Sequence, residues 1–160
     1  MRGQVPTPES LAEKLVEKLF LDNLPSDGDR ILYPGVGEGP FVHEVNEYCS
    51  KKGCPVPEGT AIEIDPTLTR KLDASLNGYP VEVLERDFLE ESTDLGEFEY
   101  IIGNPPYVPI EQFEEGEKAD YRDRFATAVQ RFDLYLLFFE QALDMLTQEG
   151  RLVFVTPEKY

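Results

Sequence analysis

The residues best suited by type and spacing to take part in a reaction are Asn104, Pro105, Pro106 and Tyr107, which directly follow the apolar run "EYIIG". Two adjacent prolines end a strand, since each lacks an N–H group and has a fixed φ. The Asn104 side-chain oxygen and the Pro105 carbonyl can both accept a hydrogen bond from an NH2 group whose lone pair is delocalised. Holding both hydrogens turns that lone pair towards an electrophile, with preorganised dipoles in place of a strong base.

The prolines hold the Pro105 carbonyl rigidly, and Tyr107 offers a flat face on which a planar substrate can stack. The motif therefore predicts chemistry on a weakly nucleophilic, planar amine. The alternative is a rigid turn that only closes a strand.

A glycine-rich turn, "GVGEG", occupies residues 35–39. It lacks the GxGxxG pattern of dinucleotide sites, and Glu38 would oppose the pyrophosphate that such sites hold at a helix N-terminus. The turn favours a cofactor with an adenosine but no phosphate, and it disfavours a nicotinamide-dependent dehydrogenase. A plain strand-to-helix connection is the alternative.

Carboxylates follow the next two predicted strands. Glu63 can accept two hydrogen bonds from a ribose diol, whereas Asp65 is better placed to cap a helix that starts at Pro66. Asp87 can accept from the exocyclic amine of an adenine ring, and Phe88 can stack on that ring. Each acid alone is typical of a solvated loop, but their order at successive strand ends indicates a nucleoside site.

The elements that must position these residues alternate between strands and helices. Helical spacing of apolar residues predicts a first helix over residues 8–20, and a long helix from about Ala126 to Gln148 with Gly150 as its C-cap. The sequence predicts five strands, the last within "RLVFVTP". This alternation predicts an α/β fold with a mostly parallel sheet and helices on both faces, and with its ligand crevice at the carboxyl ends of the strands. The polar stretch 111–125 is predicted to be a mobile flap.

The charge balance is strongly acidic. The 160 residues include 32 Asp and Glu against 15 Lys and Arg, a net charge of −17. Such an excess repels phosphate, but it also suits a protein with a solvated acidic coat from a halophilic source, where salt screens the repulsion. The one basic cluster contains Arg122, Arg124 and Arg131, which we expect to balance nearby acids rather than to contact phosphate.

Other features exclude several classes of protein. The sequence has no run of about 20 apolar residues and no signal peptide, which favours a cytoplasmic protein without a membrane segment. Cys49 and Cys54 have a spacing that fits neither a redox nor a zinc motif, so we expect free thiols. His43 is the single histidine, and no metal site is predicted.

Taken together, "NPPY", the glycine loop ending in "GPF", "EIDP" and "DF" resemble the S-adenosylmethionine-dependent N6-adenine DNA methyltransferases whose cofactor motifs precede the catalytic motif. The resemblance continues through "TPES" near the start and "FDLYLLFFEQAL" and "GRLVFVTP" near the end, so it covers nearly the whole chain. It implies a Rossmann-like methyltransferase fold and direct methyl transfer from S-adenosyl-L-methionine to adenine N6 in DNA. It also implies a restriction-modification or related defence system, with the target adenine flipped out of the duplex.

The resemblance further implies residue roles. Thr7 and the glycine loop would approach the methionine part of the cofactor, Glu63 its ribose, and Ile64, Asp87 and Phe88 its adenine. Tyr33 stands where the family usually has an acid that places the methionine ammonium. The implied cofactor-binding residues are thus Thr7, Tyr33, Gly35, Gly37, Phe41, Glu63, Ile64, Asp87 and Phe88, and the implied catalytic residues are Asn104, Pro105, Pro106 and Tyr107.

The family's chains continue past "FVTP" with two more strands and normally a target-recognition region. We therefore expect residues 1–160 to be a C-terminally incomplete catalytic domain, with DNA recognition supplied by a longer chain or by a specificity or partner subunit. Two alternatives stay open. Glutamine N5-methyltransferases that act on release factors also carry NPPY, although "TPES" and the long stretch after NPPY favour the DNA group. The second alternative is a truncated, non-catalytic module that binds the cofactor or a partner.

Overall fold

The computed structural model describes residues 3–90, 93–156 and 158. Within them, five strands form one sheet in the order β3-β2-β1-β4-β5, and all neighbouring strands run parallel. The strands are β1 Arg30–Pro34, β2 Glu58–Glu63, β3 Val81–Glu85, β4 Phe98–Gly103 and β5 Leu146–Phe154. The helices are α1 Glu9–Phe20, α2 Pro40–Lys52, α3 Pro66–Ser75, α4 Glu115–Arg124 and α5 Leu134–Asp144. The predicted parallel α/β sheet is confirmed.

Successive residues of the central strands face opposite sides of the sheet, as pleated backbone requires. In β1, Ile31 and Tyr33 join a core with α1, α2 and α3, whereas Leu32 joins a second core with α5. The prediction of helices on both faces is therefore confirmed.

Local sequence explains where the early helices lie. α1 buries Ala12, Val16, Leu19 and Phe20, which recur at helical spacing. At the start of α3, the Asp65 carboxylate accepts hydrogen bonds from the backbone N–H groups of Thr67 and Leu68 at 2.8 and 3.4 Å. The predicted cap is thus confirmed.

The prediction of one long helix from Ala126 to Gln148 is wrong. α5 begins only after Asp133, whose carboxylate accepts from the Tyr135 N–H at 3.3 Å, and it ends at Asp144. β5 begins at Leu146 because that residue pairs with Phe98 of β4, so Gly150 lies in a strand and is not a helix cap. Apolar residues recur at helical spacing both before the start of α5 and after its end, so the spacing alone does not mark either boundary.

The predicted flap, residues 111–125, contains α4, which starts with a capping box formed by Glu114 and Glu117. Its mobility stays a prediction. Among the described residues, no helix is both long and apolar enough to cross a membrane.

Candidate active site at the carboxyl ends of the strands

A cavity of about 390 Å³ lies at the carboxyl ends of β1 and β4. It is lined by Gln4, Val5, Pro6, Thr7, Tyr33, Gly35, Val36, Gly37, Glu38, Pro40, Phe41, Leu68, Ile102, Gly103 and Asn104. Six of the predicted site residues therefore line the same cavity: Thr7, Tyr33, Gly35, Gly37, Phe41 and Asn104.

The glycine loop, residues 35–39, has a backbone that favours glycine. Gly35, Gly37 and Gly39 have φ values of 61°, 61° and 83°, in the left-handed region. The Val36 N–H donates to the Ile62 carbonyl at 2.9 Å, and the Gly37 N–H donates to the Glu63 carboxylate at 2.9 Å. These two N–H groups are turned towards β2, so they cannot form the phosphate cradle of a dinucleotide site.

Glu63 is fully buried at the end of β2 and does not line the cavity. One carboxylate oxygen accepts from the Gly37 N–H, and the other accepts from the Asp65 N–H at 3.0 Å. Each carboxylate oxygen can accept a further hydrogen bond, so contact with a ribose stays a prediction. In this structure Glu63 braces the glycine loop.

The residues predicted to contact the cofactor's adenine lie away from the cavity wall. Ile64 is 40% exposed, and the Asp87 carboxylate accepts from the Leu89 N–H at 2.9 Å. Phe88 is buried in the second core, with its ring centroid 5.0 Å from that of Phe138. Their adenine contacts stay predictions.

Tyr33 and Phe41 supply buried aromatic surface to the cavity. Burial raises the pKa of the Tyr33 hydroxyl well above its usual value, and the nearby Cys49 thiol adds to this effect. Tyr33 therefore stays uncharged near neutral pH and cannot act as a substitute carboxylate.

Asn104 directly follows β4 and is 8% exposed. Its side-chain NH2 donates to the Val5 carbonyl at 2.9 Å and to the Thr7 hydroxyl at 3.1 Å. Its oxygen accepts from the Tyr107 hydroxyl at 2.9 Å. Because the Val5 carbonyl can only accept, the Asn104 atom beside it must be the nitrogen.

The rest of the NPPY motif packs around Asn104. Pro105 and Pro106 are buried, whereas Tyr107 is half-buried and its hydroxyl also lies 2.9 Å from the Val155 carbonyl. Burial raises the pKa of Tyr107, and Asp133 adds to this effect, so the hydroxyl keeps its proton.

Sequence reasoning missed most of residues 3–7, which we call the N-terminal strap. The Tyr107 N–H donates to the Gly3 carbonyl at 3.0 Å, and the Gln4 side-chain NH2 donates to the Gly35 carbonyl at 3.2 Å. The strap therefore connects the NPPY motif to the glycine loop. Only Thr7 had been predicted, because the strap lies before the first periodic segment and carries no helix or strand pattern of its own.

Two of the three clustered arginines form ion pairs with acidic side chains, as predicted. Arg124 bonds Asp120 at 2.9 Å and also contacts the Leu89 carbonyl, and Arg131 lies 3.3 Å from Glu111. Among the described residues, no group of three or more His, Cys, Asp or Glu side chains has a metal-binding arrangement.

The residues of the cavity fit S-adenosylmethionine. The volume of the cavity lies in the range of small-molecule binding sites. Two N–H groups of the glycine loop bond residues of β2 and are not available to hold a phosphate. The exposed carboxylate of Glu38 suits a ligand that carries positive rather than negative charge. Tyr33, Phe41 and Leu68 give the cavity apolar surface.

Comparison with known proteins identifies relatives. Residues 60–160 match the model of the Eco57I restriction-modification methylase family. The type II methyltransferase M.TthHB8I of Thermus thermophilus is 32% identical over 97% of this chain and 34% of its own length. The type II methyltransferase M.BstVI of Geobacillus stearothermophilus is 32% identical over 49% of this chain, which is 14% of that protein. The chain thus spans about a third or less of these two relatives.

One relative is a methyltransferase with a different type of acceptor. A putative protein N5-glutamine methyltransferase of Methanocaldococcus jannaschii is 34% identical over 68% of this chain and 51% of its own length.

The fold also has known counterparts. A putative class I S-adenosylmethionine-dependent methyltransferase from Listeria monocytogenes superposes with a TM-score of 0.74 and 19% identity, covering 95% of this chain and 46% of that one. The predicted Rossmann-like methyltransferase fold is confirmed, and fold and relatives together imply S-adenosylmethionine as the cofactor.

Proposed function

Because this chain belongs to the Eco57I restriction-modification methylase family, we propose that it is the catalytic part of a DNA methyltransferase that modifies the N6 amine of adenine. The observation that carries this proposal is the position of Asn104 and the glycine loop on one cavity. A cofactor held by the loop would have its reactive end close to an amine held by the NPPY motif. The proposed substrate is DNA, with the target adenine flipped out of the duplex.

In the proposed reaction, the Asn104 oxygen and the Pro105 carbonyl accept hydrogen bonds from the two hydrogens of the adenine amine. Both acceptors are neutral, and the buried prolines hold them in place before the substrate arrives. S-adenosylmethionine, when bound, supplies a methyl group activated by a positively charged sulfur. The Tyr107 ring offers a stacking face for the adenine.

On the cofactor side, we propose that Thr7 and the glycine loop contact the methionine part. Glu63, Ile64, Asp87 and Phe88 are proposed to contact the adenosine from the ends of β2 and β3. Residues 1–160 would then form a catalytic domain that relies on a further region or a specificity subunit for sequence recognition. A cytoplasmic location is part of the same proposal.

The direct test is the chemical identity of the methylated product. The protein is incubated with methyl-labelled S-adenosylmethionine and adenine-containing duplex DNA across a range of KCl concentrations, because the net charge of −17 opposes DNA at low salt. The DNA is digested to nucleosides and analysed by mass spectrometry. We expect label in N6-methyldeoxyadenosine and none in a duplex made only of G and C. Label in N4-methyldeoxycytidine would contradict adenine specificity.

A glutamine side chain is the second candidate acceptor. The relative from Methanocaldococcus jannaschii supports it, and an amide NH2 has the same delocalised lone pair as the adenine amine. The same assay with a protein that carries a Gly-Gly-Gln sequence separates the two, since label in protein alone would favour this candidate.

A further inference from the structure

The Asn104 amide has two nearly isosteric ends, and only one of them suits the proposed reaction. An oxygen can accept the hydrogens of a substrate amine, whereas an NH2 group in its place would repel them. Something in the protein must therefore fix which end faces the substrate.

The N-terminal strap determines which end of the Asn104 amide faces the substrate. The Val5 carbonyl at 2.9 Å accepts from one hydrogen of the Asn104 NH2, and the Thr7 hydroxyl at 3.1 Å accepts from the other. A rotated amide would bring two acceptor oxygens together at a site that is 8% exposed, which is costly in a poorly solvated position. The Val5 carbonyl imposes this preference because it can only accept, whereas the Thr7 and Tyr107 hydroxyls can each donate or accept. The Thr7 hydroxyl adds a second partner for the NH2 group in the orientation that Val5 selects.

The strap is itself fixed at both ends. Thr7 leads into α1, whose apolar face is buried, and the Gly3 carbonyl accepts from the Tyr107 N–H at 3.0 Å. Gly3 has a φ of +73°, and a Cβ added there would come within 2.6 Å of the Val108 side chain and also overlap the Tyr107 carbonyl. Only glycine lets the strap lie this close to the NPPY motif.

We propose that the strap is a positioning element: the Val5 carbonyl orients the Asn104 amide with its oxygen towards the substrate amine, the Thr7 hydroxyl stabilises that orientation, and Gly3 allows the close approach. This inference rests on the proposed function for its catalytic meaning. The orientation itself can be measured without any turnover.

The first test is NMR of the Asn104 side-chain NH2 in protein labelled with 15N-asparagine, with the signals assigned by their loss in Asn104→Asp. In the unmodified protein, both hydrogens are bonded, so their exchange with solvent should be slow. Gly3→Ala should push the strap away and speed that exchange about fivefold, the factor expected for the loss of one typical hydrogen bond.

Gly53→Ala is the matched control. Gly53 has a φ of +68°, close to that of Gly3, but a Cβ there meets no atom within 4 Å. Both variants carry the same backbone strain, so a change confined to Gly3→Ala reports the strap contact rather than lowered stability. Equal exchange of the Asn104 hydrogens in both variants would overturn the proposal.

Thr7→Val and Thr7→Ser give a second test. Valine keeps the shape of threonine but cannot accept a hydrogen bond, so one Asn104 hydrogen should exchange faster. Serine keeps the hydroxyl and should restore the slow exchange. Unchanged signals in Thr7→Val would overturn the role of Thr7.

Kinetics then connects orientation to catalysis. Gly3→Ala should lower kcat about tenfold with a smaller change in the cofactor KM, because Gly3 does not line the cavity. An unmodified protein that fails to methylate adenine, with the NMR result as expected, would refute the proposed function and leave the orienting role supported. Normal kcat in Gly3→Ala, with active unmodified protein, would refute the positioning role alone.

Discussion

The two ends of the cavity are built differently. At the glycine loop, the Gly37 N–H bonds Glu63, which is 26 residues away on the next strand. At the NPPY motif, Asn104 bonds Thr7 and Val5, which are 97 and 99 residues away, and Tyr107 contacts Val155, 48 residues away. Apart from the Gln4 contact with Gly35, the loop end is held by bonds within one β-α-β unit, whereas the catalytic end depends on residues 5, 7 and 155.

This difference has a physical consequence. Contacts within one β-α-β unit form with little loss of chain entropy, but contacts across about 100 residues need the whole sheet in place. The catalytic amide should therefore be more sensitive to changes elsewhere in the chain than the cofactor loop.

The largest effect should come from Asn104→Ala, which removes one of the two proposed acceptors for the amine. We expect kcat to fall about 10²–10³-fold, as for loss of one preorganised hydrogen-bonding group. The loss of cofactor affinity should be smaller, although Asn104 lines the cavity and bonds Thr7. Initial methylation rates and calorimetry with S-adenosylhomocysteine measure the two quantities.

The control is Asn46→Ala, which removes an amide whose NH2 donates to the Val42 carbonyl within α2, away from the cavity. Full activity in Asn104→Ala would refute the role of the NPPY motif.

Glu63→Gln should damage the loop end instead. An amide has one acceptor oxygen, so its NH2 would face a partly buried N–H of either Gly37 or Asp65. We expect a loss of about 2–3 kcal/mol in the free energy of unfolding, measured with urea, and weaker binding of S-adenosylhomocysteine.

Glu85→Gln serves as its control, because Glu85 pairs in register with Glu63 but is exposed on β3. Unchanged stability and affinity in Glu63→Gln would show that the brace is unnecessary.

Glu140→Gln tests the segment that precedes α5. The Glu140 carboxylate accepts from the Ala126 N–H and from the N–H and hydroxyl of Thr127. Partial burial raises its pKa, but these hydrogen bonds outweigh that effect and lower the pKa overall. We expect the variant to lose about 1–2 kcal/mol of stability at neutral pH.

The pH dependence follows from the sign of that shift. A carboxylate with a lowered pKa in the folded state stabilises the protein above its unfolded pKa, and this stabilisation disappears as the pH falls through the folded value. The stability difference between Glu140→Gln and the unmodified protein should therefore vanish in acid. Asp144→Asn, on the exposed end of α5, is the control, and a difference that persists below about pH 3 would contradict the explanation.

The smallest effect should come from Tyr107→Phe, which keeps the ring but removes the hydroxyl between Asn104 and Val155. We expect a loss of about 1 kcal/mol in stability. Because burial raises the pKa of Tyr107, the hydroxyl stays protonated and the loss should be equal at pH 7 and pH 9.

Tyr79→Phe provides the comparison, since its hydroxyl has only a 3.4 Å contact with His43. Equal stability of Tyr107→Phe and the unmodified protein would show that the hydroxyl is dispensable.

Much of the site could be predicted from sequence because its signals are local. Gly35 and Gly37 mark a turn that needs positive φ, Asp65 and Pro66 mark a helix start, and the two prolines mark the end of β4. The carboxyl ends of parallel strands then meet at one edge of the sheet. Phe88 is a counterexample, since its position after β3 does not reveal that its ring packs on Phe138 in the core.

Sequence alone was sufficient for the five strands in chain order, the first three helices, the glycine turn and the position of the NPPY motif, because each depends on residues within a few positions of one another. The tertiary structure alone decided that the strap reaches Asn104, that Glu63 braces the loop and that β5 begins at Leu146. Those contacts join segments distant in sequence. The residues that meet in these contacts are brought together by packing across the completed sheet, and the spacing of apolar residues along the chain does not identify them.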